Sequence, residues 1–288
     1  MQYSTIGDFK ISRFGVGTKR MPTTDVTRVV RLDLEEASSI FSAAVDEGIT
    51  FFDTSYSNHK GEAEAHLGDF FQEHDAPHQI ATNYFDLVDP RYEYVFQKQM
   101  KKLYTNCIDF YTIESITDMT MERDVQSGAL DHLFKMKEEG HIANFGFSCD
   151  FRKPENLLAY AKRFPWDYIR MTINYYDWFM RGGEELFAAA KETGLPIISH
   201  GSMHTGTKSQ LKSECISMLK EANPDRSSVD WAFRFVKSLE DVKCVTANLY
   251  SAKQVKEDAA VFQDDVVLSS TEFDLLKEVA AEQKAFRR

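Results

Sequence analysis

Residues 48–83 read GITFFDTSYSNHKGEAEAHLGDFFQEHDAPHQIATN. Within them TFFDT (50–54) and QIATN (79–83) are short runs rich in β-branched and aromatic residues, while AEAHLGDFFQEH (63–74) repeats its apolar side chains every three or four positions. The first pattern belongs to a buried strand and the second to a helix with one apolar face. A strand returned to a second strand through a helix makes a parallel pair, because a two-residue hairpin brings the chain back antiparallel.

The same unit recurs in both directions along the chain. Further strands are expected at FGVGT (14–18), IDFYTI (108–113), ANFGFS (143–148), YIRMTI (168–173), PIISH (196–200) and VKCVTA (242–247). Helical spacing fills the intervals, as in LEEASSIFSAAVDEG (34–48), YEYVFQKQMKKLY (92–104) and ALDHLFKMKEEG (129–140), and Gly48, Gly140 and Gly194 stand where helices end. Eight such units in the α/β class predict a closed (β/α)8 TIM barrel, one domain over residues 1–288, with a helical extension from Gln263 onward packed outside it. An open doubly wound sheet is the competing arrangement, but no GxGxxG fingerprint follows the first strand.

The 288 residues are 43% hydrophobic and 27% charged, the balance of a chain that folds around a core. A formal net charge of -11 and a pI near 5.3 argue against nucleic acid and anionic membrane surfaces as partners, since both require a basic footprint. No apolar run approaches the roughly 20 residues that span a bilayer, and the polar start MQYSTIGDFK lacks a secretory core, so a cytoplasmic location is expected. Cys107, Cys149, Cys215 and Cys244 form no CxxC pair and are expected to be reduced thiols.

In such a barrel the chemistry sits at the carboxyl ends of the strands. Those ends offer Asp53, Tyr56, Asn58 and His59 on the second unit, Asn83 and Tyr84 on the third, and Glu114 and Ser115 on the fourth. The fifth, sixth and seventh add Ser148, Cys149, Asp150, Asn174, Tyr175, His200, Ser202 and His204. The stretch 48–68 resembles the GxxxFDTAxxYGxGxSExxLG segment of the aldo-keto reductases, with Asp53, Thr54, Gly61, Glu64, Leu67 and Gly68 in register. Echoes continue through FGVGTKRMP, IDFYTIES, GHIANFGFS, DYIRMTINYYDW, GLPIISHGSMHTG and VTANLYSAKQVKED. The nearest flavour is the iron-sulfur-linked branch without its cysteine-rich tail, so no iron-sulfur cluster is expected.

The resemblance implies hydride transfer between a nicotinamide and a carbonyl. In the family a tyrosine protonates the alkoxide, a lysine paired with an aspartate acidifies that tyrosine, and a histidine orients the carbonyl. Mapped onto this chain, Asp53 keeps the aspartate station, but the tyrosine station holds Asn58, the lysine station Asn83 and the histidine station Glu114. Asparagine cannot give up a proton at neutral pH, so Tyr56, Tyr84 or Glu114 would have to serve. Glutamate at the Glu114 position is shared with relatives that reduce activated C=C bonds. Asp53 is left without its expected lysine.

For a bound NADP, the resemblance implies Ser148 at the nicotinamide amide and Arg170 in place of a glutamine, with Tyr175 near the ring-stacking position. It also implies Ser202 in the loop after the seventh strand, and Ser251, Gln254 and Asp258 on the helix after the eighth. Arg170 also suits an anionic ligand. His59, His200 and His204, with Glu114 or Asp53, have the residue types of a metal set but no metal spacing, and no metal is expected. These features imply NAD(P)H-dependent reduction of a small carbonyl or enone with a non-standard proton donor. Two alternatives stand beside it: a non-redox lyase or isomerase with Glu114 and Asp53 as acid and base, and a catalytically silent ligand-binding barrel.

Overall fold

The computed structural model describes residues 1–26, 29–203 and 211–285. The chain opens with an antiparallel hairpin of β1 (Tyr3–Ile6) and β2 (Phe9–Ser12). The first barrel strand, β3 (Phe14–Gly17), follows, then a second hairpin of β4 (Thr23–Val26) and β5 (Val29–Leu32), and helix α1 (Leu34–Asp46). Strands and helices then alternate: β6 (Phe51–Asp53), α2 (Glu62–Glu73), β7 (Gln79–Tyr84), α3 (Tyr92–Lys102), β8 (Ile108–Ile116). Two helices, α4 (Arg123–Gln126) and α5 (Ala129–Glu138), lead to β9 (Ile142–Cys149) and α6 (Pro154–Arg163). The last third holds β10 (Tyr168–Thr172), α7 (Tyr175–Met180), α8 (Gly183–Glu192), β11 (Ile197–His200), α9 (Ser213–Ala222) and α10 (Ser228–Lys237). It ends with β12 (Val242–Asn248), α11 (Ala252–Ala260) and α12 (Ser270–Ala285).

Eight strands, β3 and β6 to β12, pair in parallel in chain order, and β12 closes on β3. Each of the eight runs read as a strand lies in this barrel, with ends that differ by at most three residues. The two hairpins stand outside the strand–helix rhythm, so the periodicity does not announce them. Helix α12 lies outside the barrel against α7 and α9, where the Lys212 N–H donates to Gln283 Oε1 at 3.0 Å.

The barrel interior is packed and closed at one end. Phe51, Ala81, Phe110, Tyr168, Ile198 and Cys244, from six different strands, form a cluster with Ile6 and Ile11 of the first hairpin, which stoppers the amino-terminal end. Side chains alternate along a strand, so the residue two places on from each of these also faces inward, one layer nearer the open end. That layer contains Asp53, Asn83, Thr112, Arg170, His200 and Thr246, with Glu114 above Thr112. The pleat therefore gathers the polar positions at the mouth.

Several residues that carry the family resemblance act behind the barrel wall. Glu64 is fully buried and accepts from Thr82 Oγ1 at 2.8 Å and from Gln99 Nε2 at 3.2 Å, which ties α2 to β7 and α3. A Cβ on Gly68 would lie 2.0 Å from the Lys102 carbonyl oxygen, so only glycine lets α2 approach the end of α3 this closely.

Candidate active site

The centre of the mouth is a three-residue ionic cluster. Arg170, inward-facing on β10, donates from Nη2 to Asp53 Oδ2 at 2.6 Å and from Nη1 to Glu114 Oε1. The side chains of Arg170, Asp53 and Glu114 are only 14%, 11% and 19% exposed. One guanidinium thus holds carboxylates from two other strands, a geometry that suits its planar fork of five N–H donors. Asp53 is therefore not left without a cation, and Arg170 meets two protein carboxylates instead of standing free for an anionic ligand.

Electrostatics follow from burial. Desolvation, the largest effect, raises the Asp53 carboxyl to about 6; Arg170 opposes that rise and Glu114 adds to it. Burial also works against the Arg170 charge, but Asp53 and Glu114 outweigh it, and the guanidinium holds its proton more firmly than a free arginine. Lys19 adds a second, weaker positive influence on Asp53. Asp150, next to Ser148, is raised by burial first and by Glu114 second.

Glu114 sits at an irregularity that aims it. The β8–β9 register shifts between Ile113 and Ile116, and Ser115 adopts a left-handed backbone with φ 61°. Bulges of this kind turn side chains out of a ladder and concentrate beside active sites. Thr120 Oγ1 donates to the Ser115 carbonyl at 2.8 Å and fixes the bend.

The other positions inferred from the sequence are distributed around this centre. Asn58 Nδ2 donates to Thr18 Oγ1 at 2.9 Å, and Asn83 Oδ1 accepts from Ser55 Oγ at 2.9 Å. Tyr56 donates its hydroxyl to the Phe85 carbonyl at 2.6 Å, and burial pushes the phenol up to about 12. Tyr84 is buried with no hydrogen-bond partner for its hydroxyl among the described residues, and burial raises it further. Neither phenol touches the Arg170 cluster through a described hydrogen bond.

Ser148 is buried, with Oγ 3.4 Å from Asp150 Oδ2. Tyr175 opens α7 with its ring buried edge-on to Phe235 at 6.3 Å, packed into the helical layer. Ser202, just past β11, is buried without a partner among the described residues. Ser251 caps α11 by accepting from the Gln254 N–H at 3.1 Å, Gln254 Oε1 accepts from the Tyr250 N–H at 3.1 Å, and buried Asp258 is raised to about 7 by desolvation. The cluster at the mouth thus joins Asp53, Glu114 and Arg170, while Ser251, Gln254 and Asp258 share one helix and Tyr175 stands apart.

His59 Nε2 lies 3.2 Å from the Thr18 carbonyl oxygen, and His204 lies outside the described residues. Among the described residues no group of three or more His, Cys, Asp or Glu side chains is arranged to hold a metal ion. The sequence places His200 at the end of the seventh strand and among the metal candidates. In the barrel it faces inward on β11, its Nε2 is shielded and unpartnered among the described residues, and burial first and Arg170 second depress it to about 3. The two-residue alternation through Ile198 is the signal that finds it.

The sequence profile described as the Aldo/keto reductase family matches residues 13–281. No curated protein matches the sequence closely enough to count as a relative. Among solved structures, the holo form of an aldo-keto reductase from Bacillus halodurans superposes with a TM-score of 0.77 at 21% identity, covering 97% of this chain and 96% of the other. A glycerol dehydrogenase from Gluconobacter oxydans gives 0.73 at 17% identity, over 98% and 95%. An aldo-keto reductase from Klebsiella pneumoniae in complex with NADPH gives 0.72 at 16% identity, over 97% and 96%. These likenesses establish the barrel, and the profile covers nearly the whole of it: the chain belongs to the aldo/keto reductase family.

Proposed function

We propose that this chain is an NADP(H)-dependent oxidoreductase of small carbonyls or enones in which Arg170, held between Asp53 and Glu114, replaces the family's lysine–tyrosine pair. The observation that carries the reading is the guanidinium bridging two carboxylates at the barrel mouth. A dinucleotide fits the surrounding polar groups, since His200 Nε2, Ser202 Oγ and Asp258 Oδ2 are buried with no hydrogen-bond partner among the described residues. Burial of such atoms is costly unless something hydrogen-bonds to them. Ser148, His200 and Ser202 would hold the nicotinamide half, and the Ser251-capped end of α11, with Gln254 and Asp258, the phosphate and adenosine half. Bound there, the nicotinamide supplies the hydride.

The chain's own residues then manage charge and proton. A guanidinium carries five N–H donors, and the described bonds to Asp53 and Glu114 use two of them. The remaining donors can hold a substrate oxygen and stabilise the negative charge that develops on it. Arg170 keeps its own proton. The proton comes from the carboxyl pair, of which Asp53, raised to about 6, is protonated in a useful fraction near neutrality. Tyr56 is spent on the Phe85 carbonyl.

Nicotinamide fluorescence quenching followed by a turnover screen over small aldehydes, ketones and enones tests this. Arg170→Met should lower turnover by about 10²-fold or more, the cost of losing an oxyanion donor, with cofactor binding retained. No quenching at about millimolar NADPH, or full turnover in that variant, rejects the reading. The separation of Asp53 and Glu114 to two sides of Arg170 favours one second reading, cofactor-independent proton transfer. Turnover of a hydroxy-carbonyl compound without nicotinamide would establish that reading instead.

A further inference from the structure

The closed end of the barrel carries a pocket that the proposed chemistry does not use. Its cavity volume is about 240 Å³, and it lies between the first hairpin, the end of α1 and the starts of β6 and β7. Tyr3, Val45, Ile49 and Pro77 give it an apolar body, and Lys10 and Gln79 give it two polar corners.

Both corners lack a partner. Lys10 Nζ lies 4.9 Å from the centroid of the Tyr3 ring, and no carboxylate among the described residues pairs with it. A lone ammonium over an aromatic ring is a ready counter-ion for an anion. Gln79 Oε1 is shielded from solvent without a hydrogen-bond partner among the described residues, although the Gln79 backbone N–H is satisfied by the Thr50 carbonyl at 2.6 Å. An orphaned carboxamide oxygen requires a donor.

The other polar groups of the wall are already engaged. Tyr3 donates its hydroxyl to the Gly48 carbonyl at 2.9 Å, and Thr50 Oγ1 accepts from the Ser12 N–H at 3.0 Å. Gly48 has φ 75°, and a Cβ there would meet the Tyr3 hydroxyl at 3.0 Å, so this glycine keeps the ring seated as the pocket's wall. The Tyr3–Gly48 contact therefore fixes one wall of the pocket. A guest must bring a negative charge for Lys10, a hydrogen-bond donor for Gln79 and an apolar or aromatic body between them. The volume lies below the 300–1,000 Å³ of drug-sized sites, so the guest is small.

We propose that this pocket binds a small aromatic carboxylate carrying a hydroxyl or amino donor, with its carboxylate on Lys10 and its donor on Gln79. Titration of the full chain with the three hydroxybenzoate isomers, benzoate and phenol, followed by amide NMR shifts and calorimetry, tests it. At least one isomer should shift the amides of Gly48 and Gln79, and should do so equally with NADP present. Benzoate, which lacks the donor, and phenol, which lacks the charge, should each bind about tenfold or more weakly, the loss of one good polar contact.

Lys10 is exposed, so Lys10→Glu should fold normally and abolish the shifts, while Lys10→Arg should retain them. Val45→Trp, which fills the cavity, should abolish them too. The proposal is overturned if no isomer binds at about 10 mM, if the shifts fall at the mouth around Asp53 and Ser148, or if Lys10→Glu binds as well as the parent. None of these outcomes depends on whether the mouth reduces carbonyls.

Discussion

Replacing Arg170 by methionine removes the cation and leaves its two carboxylates in place. The side chains of Asp53 and Glu114 are 11% and 19% exposed, so neither can recover its hydration in the folded state. Stripping one partner from a buried ion pair costs about 3–5 kcal/mol, and here one substitution orphans two carboxylates. For a chain of this length that corresponds to a fall in Tm of roughly 10 °C. The cost must depend on pH, and its sign follows from Asp53.

Burial raises the Asp53 carboxyl to about 6 even with the guanidinium beside it, and removing the guanidinium raises it further. A carboxyl whose folded value lies above its unfolded one favours the fold below the unfolded value, near 3.9, and loses that contribution as pH rises through the folded value. The part of the Arg170→Met deficit that comes from Asp53 should therefore be small near pH 5 and full near pH 8, so the whole deficit should be smaller at pH 5. Scanning calorimetry and urea melts at the two pH values measure it. Adding Asp53→Asn and Glu114→Gln should restore most of the loss, because the charges that needed the guanidinium are gone. An equal deficit at both pH values, or a triple variant as unstable as the single one, would refute the account of the mouth as a charge cluster.

Other consequences can be checked separately. Tyr56→Phe loses only the bond to the Phe85 carbonyl and should cost about 1 kcal/mol of stability with carbonyl turnover within about threefold of the parent; a drop of a hundredfold would return Tyr56 to the role of proton donor. His200, depressed to about 3 by burial, should show a neutral imidazole by NMR from pH 8 down to about 5, and stability should fall below about pH 6.5 as the unfolded chain takes up its proton; a midpoint between 5 and 8 contradicts its placement. Asp124 is 1% exposed, has Arg123 Nη2 3.8 Å from its Oδ2, and is raised to about 6 by burial, with Asp86 adding and Arg123 opposing. Its contribution is lost as pH rises through 6, so Asp124→Asn should gain up to about 3 kcal/mol at pH 8 and nothing near pH 4 in urea melts, and an unchanged pH profile would count against it.

The barrel is legible because each strand is buried on both faces. TFFDT, QIATN and YIRMTI read as unbroken runs for that reason, and the interposed helices read at their own period. The first hairpin escapes the same reading although Gly7, at φ 55°, is a two-residue hairpin signal. Its strands are four residues each, and only Ile6 and Ile11, with Phe9 beside them, reach the interior cluster. Helix and strand periods carry little information over so few residues.

The candidate site divides along another line. Reading strand ends and a family pattern fixes where Asp53 and Glu114 lie, because both are set by position along a single strand. It does not reveal what they touch, since the Asp53–Arg170 contact spans 117 positions and is made across the barrel axis. At the family's lysine station this chain has Asn83, which carries no charge. The alternation that puts Tyr168 inside the closed end also puts Arg170 inside the mouth, however, and an arginine is long enough to reach two strands at once. In a closed barrel all eight strand ends converge on one small space, so a role can move from one strand to another while its charge stays in place. The test of a lost station is then the inward-facing residue on every other strand, and among the described residues that test finds the Arg170 guanidinium beside Asp53 and Glu114.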